Sequence, residues 1–136
     1  MIGRCLCGGV RYQVRCRPDA LYYCHCSQCR RSSGSSFATN IAVARADLDI
    51  LEGAELIKAY MSAPRKHRNF CSNCGSPLYS EYLDEPDVVY LRAGTLEDTG
   101  ELTARAHIHT ASMASWFEIR DGLPQYPEDA DVDRFP

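Results

Sequence analysis

The sequence predicts a mainly β, single-domain protein, and three observations carry that prediction. Short runs rich in β-branched and aromatic residues recur along the 136 residues, and Gly and Pro separate them. No convincing amphipathic helix, internal repeat or low-complexity tract interrupts them. A chain of this length is one ordinary domain that can bury roughly two-thirds of its unfolded surface without staples.

Taken in order, Val10-Arg11-Tyr12-Gln13-Val14-Arg15-Cys16 alternates apolar and polar residues, the pattern of a half-buried strand, and makes Cys16 a small core residue. Arg17-Pro18-Asp19 turns the chain, and Ala20-Leu21-Tyr22-Tyr23 is a strand running into Cys24. In an extended segment Cys24 and Cys26 point the same way, and a tight turn through Ser27-Gln28 brings Cys29 back to them. Arg30 to Gly34 is a short helical turn stopped by Gly34. Strands follow at Ser36 to Val43, Leu56 to Met61, Pro77 to Leu83 and Val88 to Ala93, separated by Gly53, Pro64, Pro86 and Gly94. The stretch 126–136 is acidic and Pro-bounded and reads as a solvated tail, with Phe135 able to dock on a neighbour; a homodimer is compatible with it.

Charge is nearly balanced, 15 Lys and Arg against 18 Asp and Glu, so there is no broad cationic field with which to grip nucleic acid. The N-terminal residues lack the apolar run of a secretory signal, and no stretch reaches the apolar length of a membrane span. The expected location is the cytoplasm, where thiols stay reduced and closely spaced cysteines hold metal more readily than they pair.

Seven of the eight cysteines fall in three groups: Cys5 and Cys7, then Cys24, Cys26 and Cys29, then Cys71 and Cys74. Gly8 and Gly75 follow the outer pairs, and a left-handed glycine there makes a tight turn whose amides can point at thiolate sulfur. The outer pairs supply four thiolates, enough to close a tetrahedral structural zinc site and to tie the N-terminus to mid-chain. The central trio then has three ligands, the mark of a catalytic site with one exchangeable position. An alternative makes the trio a second structural site closed by His25, His67, His107, His109 or Cys16; His25 is the poor candidate, since it alternates away from Cys24 and Cys26. A disulfide framework is the other alternative.

Gly3-Arg4-Cys5-Leu6-Cys7-Gly8, Cys24-His25-Cys26 with Cys29-Arg30-Arg31 and Gly34, and Arg68-Asn69-Phe70-Cys71-Ser72-Asn73-Cys74-Gly75-Ser76 resemble the glutathione-dependent formaldehyde-activating enzyme family, which also includes centromere protein V. The resemblance continues through Ala93-Gly94-Thr95-Leu96, His107-Ile108 and Trp116 to Asp121-Gly122-Leu123-Pro124. It implies a β-tent fold, a structural zinc on Cys5, Cys7, Cys71 and Cys74, and a catalytic zinc on Cys24, Cys26 and Cys29. The implied partners are a small thiol such as glutathione and an aldehyde such as formaldehyde. Their product is S-hydroxymethylglutathione, and the reverse direction is a carbon–sulfur lyase reaction.

The chemistry agrees with that expectation. Three thiolates and Zn²⁺ sum to a net charge of −1, a weak Lewis acid that suits a soft thiol better than water. A thiol entering the open position loses its proton yet remains a nucleophile toward an aldehyde carbon. Arg30, Arg31 and Arg68 are the candidate partners for substrate carboxylates, although a basic run also reads as a solvated face. His107 and His109 share a strand face if 106–110 is extended, with core or hydrogen-bonded roles, and Trp116 is expected in the core. The competing class is a non-catalytic, zinc-stabilised binding module.

Overall fold

The computed structural model describes residues 1–130. Strands β1 (Ile2–Arg4), β2 (Arg11–Val14) and β5 (Leu48–Glu52) form a three-stranded antiparallel sheet in the order β1-β2-β5. Strands β3 (Leu21–Cys24), β4 (Ala38–Ala44), β6 (Ile57–Ala63), β7 (Lys66–Cys71), β8 (Pro77–Tyr82), β9 (Val88–Arg92) and β10 (Ala104–Ile108) form the second sheet. Its order is β10-β3-β4-β9-β8-β7-β6, and only the β10 and β3 neighbours run parallel. One α-helix, α1 (Ser27–Ser33), follows β3. The mainly β prediction holds.

The alternation of the strands sorts side chains onto two faces of the larger sheet. On one face Ile41, Val43, Leu78, Val89 and Leu91 pack against Tyr12 and Val14 of the smaller sheet and against Val10 just before β2, forming the main core. On the other face Tyr22, Cys24, Ala38, Ala42 and Tyr90 meet Cys29 of α1 and Ile108 of β10. Arg92 and Asn40 lie on this second face as well, by the parity of their strands.

Several expectations change in detail. β2 ends at Val14, and Cys16 beyond it is half-buried against the core. The turn through Ser27-Gln28 is the first turn of α1: Cys26 is the N-cap, its Sγ accepting from the Cys29 N–H at 3.3 Å, and Gly34 ends the helix with φ 66°. β1, β5 and β7 are additional strands. His107 and His109 do not share a strand face, because β10 stops at Ile108 and His109 turns into the left-handed region at φ 57°. Trp116 is 73% exposed and not a core residue; Phe117 turns inward instead, its ring 5.4 Å from Phe37 and 5.9 Å from His25.

The stretch from residue 126 is likewise not a free tail over the part described. Tyr126 N–H donates to His107 O at 2.9 Å, His109 N–H to Glu128 O at 3.0 Å and Ala111 N–H to Pro127 O at 3.1 Å, and Ala130 is buried. Backbone groups left open along the β10 edge find their partners there. Phe135 lies outside the described residues.

Candidate metal centres and substrate site

Two short loops build the first cysteine cluster. Cys5 and Cys7 sit in the turn after β1, closed by Gly8 N–H donating to Cys5 O at 3.0 Å; Cys71 and Cys74 sit in the β7–β8 turn, closed by Gly75 N–H donating to Cys71 O at 2.8 Å. Gly8 and Gly75 have φ 76° and 77°, a conformation that a side chain would strain. The four sulfurs lie within 4.8 Å of one another, with Cys5 to Cys7 at 3.4 Å and Cys7 to Cys71 at 3.9 Å. A zinc–sulfur bond of about 2.3 Å sets tetrahedral sulfur separations near about 3.8 Å, so the cluster fits a tetrahedral ion.

Its surroundings favour negative sulfur at Cys74 and Cys7, while burial pushes the Cys71 thiol up to about 11. The Ser76 hydroxyl draws the Cys74 thiol down to about 5, helped by the backbone N–H groups of Cys7 and Ser76. The Asn73 side chain and then the Gly9 N–H lower Cys7, and Val10 N–H donates to Cys5 Sγ at 3.3 Å. These are the amide contacts that the glycine turns are expected to supply.

The second cluster is the trio. Cys24 ends β3, Cys26 caps α1 and Cys29 is the buried residue of its first turn, and their sulfurs lie within 4.8 Å of one another. Among the described residues no further Cys, His, Asp or Glu ligand atom joins them. Side-chain hydrogen bonds with Cys24 and Cys26 hold Cys29 far below the ordinary thiol range, and the Arg92 and Arg68 charges act in the same direction. The same hydrogen bonding pushes Cys24 far up, with burial adding to it.

Of the three arginines singled out from sequence, Arg30 and Arg31 lie on α1 itself, and Arg68 reaches that helix from another element. From β7 it donates to Ser32 Oγ at 3.1 Å and Gln28 Oε1 at 3.4 Å on α1, and to Ser62 Oγ at 3.0 Å. Arg30 is half-buried on α1, its Nε shielded from solvent without a hydrogen-bond partner, and it acts on His25; Arg31 is exposed. Arg92, absent from the sequence reading, is 7% exposed and donates to Asn40 Oδ1, to Tyr90 O at 3.3 Å and to Ser80 Oγ at 3.4 Å. Its signal in the sequence is slight, an Arg closing the apolar run Val88-Val89-Tyr90-Leu91.

A family model described as glutathione-dependent formaldehyde-activating enzyme matches residues 1–112. The chain belongs to this family. A Halomonas elongata protein provisionally named a glutathione-dependent formaldehyde-activating enzyme is 31% identical over 126 residues, covering 86% of this chain and 79% of the relative. An uncharacterised lyase of Schizosaccharomyces pombe is 26% identical over 106 residues, covering 78% and 75%. A crystal structure of a Rhodobacter sphaeroides protein superposes with a TM-score of 0.63 at 27% identity, covering 76% of this chain and 99% of that one. Among the described residues, no helix is long and apolar enough to cross a membrane.

This member of the glutathione-dependent formaldehyde-activating enzyme family also carries a chain of polar side chains in which two buried histidines, His25 and His107, lead to the exposed Asp121. His107 Nε2–H donates to Asp121 Oδ2 at 2.8 Å. His107 Nδ1 and His25 Nε2 share a hydrogen bond at 2.8 Å, and His25 Nδ1 is buried without a hydrogen-bond partner. The Ser36 backbone acts on this ring but gives Nδ1 no bond of normal geometry. His25 thus faces away from the sulfurs, as its alternation with Cys24 and Cys26 predicts, and packs on Phe37 and Phe117.

The chain has a consequence in acid. The hydrogen bond from His107, then that from Leu123 N–H at 3.0 Å, hold the Asp121 carboxyl below its usual range. A folded-state value depressed in this way contributes stability above the ordinary carboxylate range, lost as pH falls through the lowered value. Asp121→Asn should therefore flatten the acid limb of a melting-temperature profile between about pH 5 and about pH 3. An acid limb as steep as the parent's would show that the pairing contributes nothing.

Proposed function

We propose that this chain is a zinc-dependent enzyme of the carbon–sulfur lyase type, joining a small thiol to an aldehyde, with glutathione and formaldehyde as the pair that the family description suggests. The observation that carries the reading is the contrast between a four-sulfur cluster, complete for a tetrahedral ion, and a three-sulfur cluster with no fourth protein ligand among the described residues. Cys5, Cys7, Cys71 and Cys74 hold the structural ion, and Cys24, Cys26 and Cys29 hold the catalytic one. Zinc bound to the trio would supply the positive charge that keeps an incoming thiol deprotonated near neutral pH.

The chain's own groups do the remaining work. The ring of His25 is turned to His107, and among the described residues no imidazole nitrogen joins the three sulfurs, so the thiol proton leaves to solvent. Arg68 reaches over α1 toward Gln28 and Ser32 and offers charge for a substrate carboxylate. In the reaction the thiol sulfur bonds to the carbonyl carbon, the C=O π pair moves to oxygen, and oxygen takes up a proton. The reverse breaks the same carbon–sulfur bond.

Exchange spectroscopy on glutathione and formaldehyde at equilibrium tests this directly. Chain loaded with two zinc ions should raise the rate at which S-hydroxymethylglutathione forms and dissociates above the uncatalysed rate. An unchanged rate in fully loaded protein would favour the binding-module alternative.

A further inference from the structure

Arg68 and Arg92 are two guanidinium groups whose hydrogen-bond partners are all neutral, and among the described residues neither has a carboxylate within ion-pair distance. Arg68 acts electrostatically on Arg92, and both act on Cys29. Together with Ser32, Tyr60, Asn69 and Tyr79 they line a cavity of ≈ 190 Å³ between α1 and the β6–β9 part of the large sheet. Burying a cation with only neutral hydrogen-bond partners is costly, and it is more costly beside a second cation. Ser32, which accepts from Arg68 Nη1, stands one helical turn beyond Cys29 on the same face of α1.

We propose that this cavity is a carboxylate site: Arg68 and Arg92 hold the anionic end of a substrate whose other end reaches the Cys24, Cys26 and Cys29 centre. The guanidinium fork suits a carboxylate, which would give both arginines an anionic partner in direct hydrogen-bond contact, where they now have only neutral ones. Tyr60, Phe70, Pro77 and Tyr79 also contribute to the lining, which is apolar enough to flank a short carbon chain. At ≈ 190 Å³ the cavity is smaller than the roughly 300 Å³ at which pockets begin to enclose a drug-sized ligand, so it takes a short-chain carboxylate or one carboxylate arm and not a whole tripeptide. The proposal rests on the trio being the reactive centre. The carboxylate can belong to the thiol or to the carbonyl compound.

Calorimetry on the zinc-loaded full chain separates these sources. Mercaptoacetate and its methyl ester probe a carboxylate carried by the thiol; glyoxylate and methyl glyoxylate, titrated without thiol, probe one carried by the carbonyl compound. In at least one pair the acid should bind about tenfold tighter than the ester, and Arg68→Gln or Arg92→Gln should bring that ratio near one. Arg68→Lys should retain part of it, and Arg120→Gln, a change at an exposed arginine paired with Glu118, should leave it intact. Should Arg92→Gln fail to fold, the two Arg68 variants suffice. Equal binding of acid and ester in both pairs overturns the carboxylate site, as does a ratio that survives in Arg68→Gln. If neither thiol binds while glyoxylate still binds in an Arg68-dependent way, the carboxylate site stands and thiol recognition at the trio falls.

Discussion

Replacing Cys71 by Ser is expected to remove most of the domain's stability. Cys71 is fully buried at the end of β7, and its sulfur is one of four that join the N-terminal turn to the β7–β8 turn, more than sixty residues apart. Zinc contributes roughly 10 kcal/mol or more to the folding of small zinc domains, and a whole domain is stable by only about 5–15 kcal/mol. Losing one ligand therefore costs several kcal/mol on a scale where each kcal/mol moves the melting temperature by about 3–5 °C. The expected result is a fall of more than about 10 °C, or no soluble protein, with metal content reduced. A Cys71→Ser protein that melts like the parent and keeps its full metal would show that the outer cysteines do not hold the fold.

Cys26→Ser should behave differently, and the local structure explains why Ser is the right replacement. Cys26 is the N-cap of α1, and Ser is among the preferred caps, so the helix start survives the loss of the sulfur. Cys26→Ala would add about 1 kcal/mol of lost capping and blur the result. With Ser at this position, melting should stay within a few degrees of the parent, bound metal should fall by one ion, and activity should drop by at least about 100-fold. Unfolding as severe as that of Cys71→Ser would make the trio a second structural site.

The outer cysteine turns were legible because each of them is local. Two-residue and three-residue spacings with a following glycine specify tight turns whatever surrounds them, and Gly8 and Gly75 take up the left-handed backbone that those turns require. The strands at 21–24, 38–44, 77–82 and 88–92 were legible for a similar reason, since alternation and bounding Gly or Pro lie within each run. β7 was not, because Lys66-His67-Arg68 reads as a charged run and becomes a strand only through pairing with β6 and β8 on both sides.

Long-range features were hidden for the same physical reason. The Asp121, His107 and His25 chain joins residues 14 and 82 positions apart, and the docking of residues 124–128 beside β10 depends on that edge being available. Arg92 is the clearest loss. Nothing in its neighbours along the chain predicts a buried guanidinium, and its setting emerges only when β9 pairs with β4 and brings it to Asn40. Trp116 shows the converse, since a lone Trp was expected inside and Phe117 occupies the inner position.

The central claim is that the trio is an open thiolate centre for a thiol substrate, and cobalt substitution tests it most directly. Cobalt in place of zinc reports sulfur coordination through its charge-transfer absorption, which grows with each thiolate ligand. Titrating glutathione into the fully loaded cobalt protein should raise that absorption to saturation. The apparent affinity should strengthen with pH until the free thiol itself ionises near about 8.5, because coordination releases a proton. The rise should vanish in Cys26→Ser and should be absent for an oxygen analogue of glutathione. A spectrum unchanged by saturating glutathione in properly loaded protein would contradict the account.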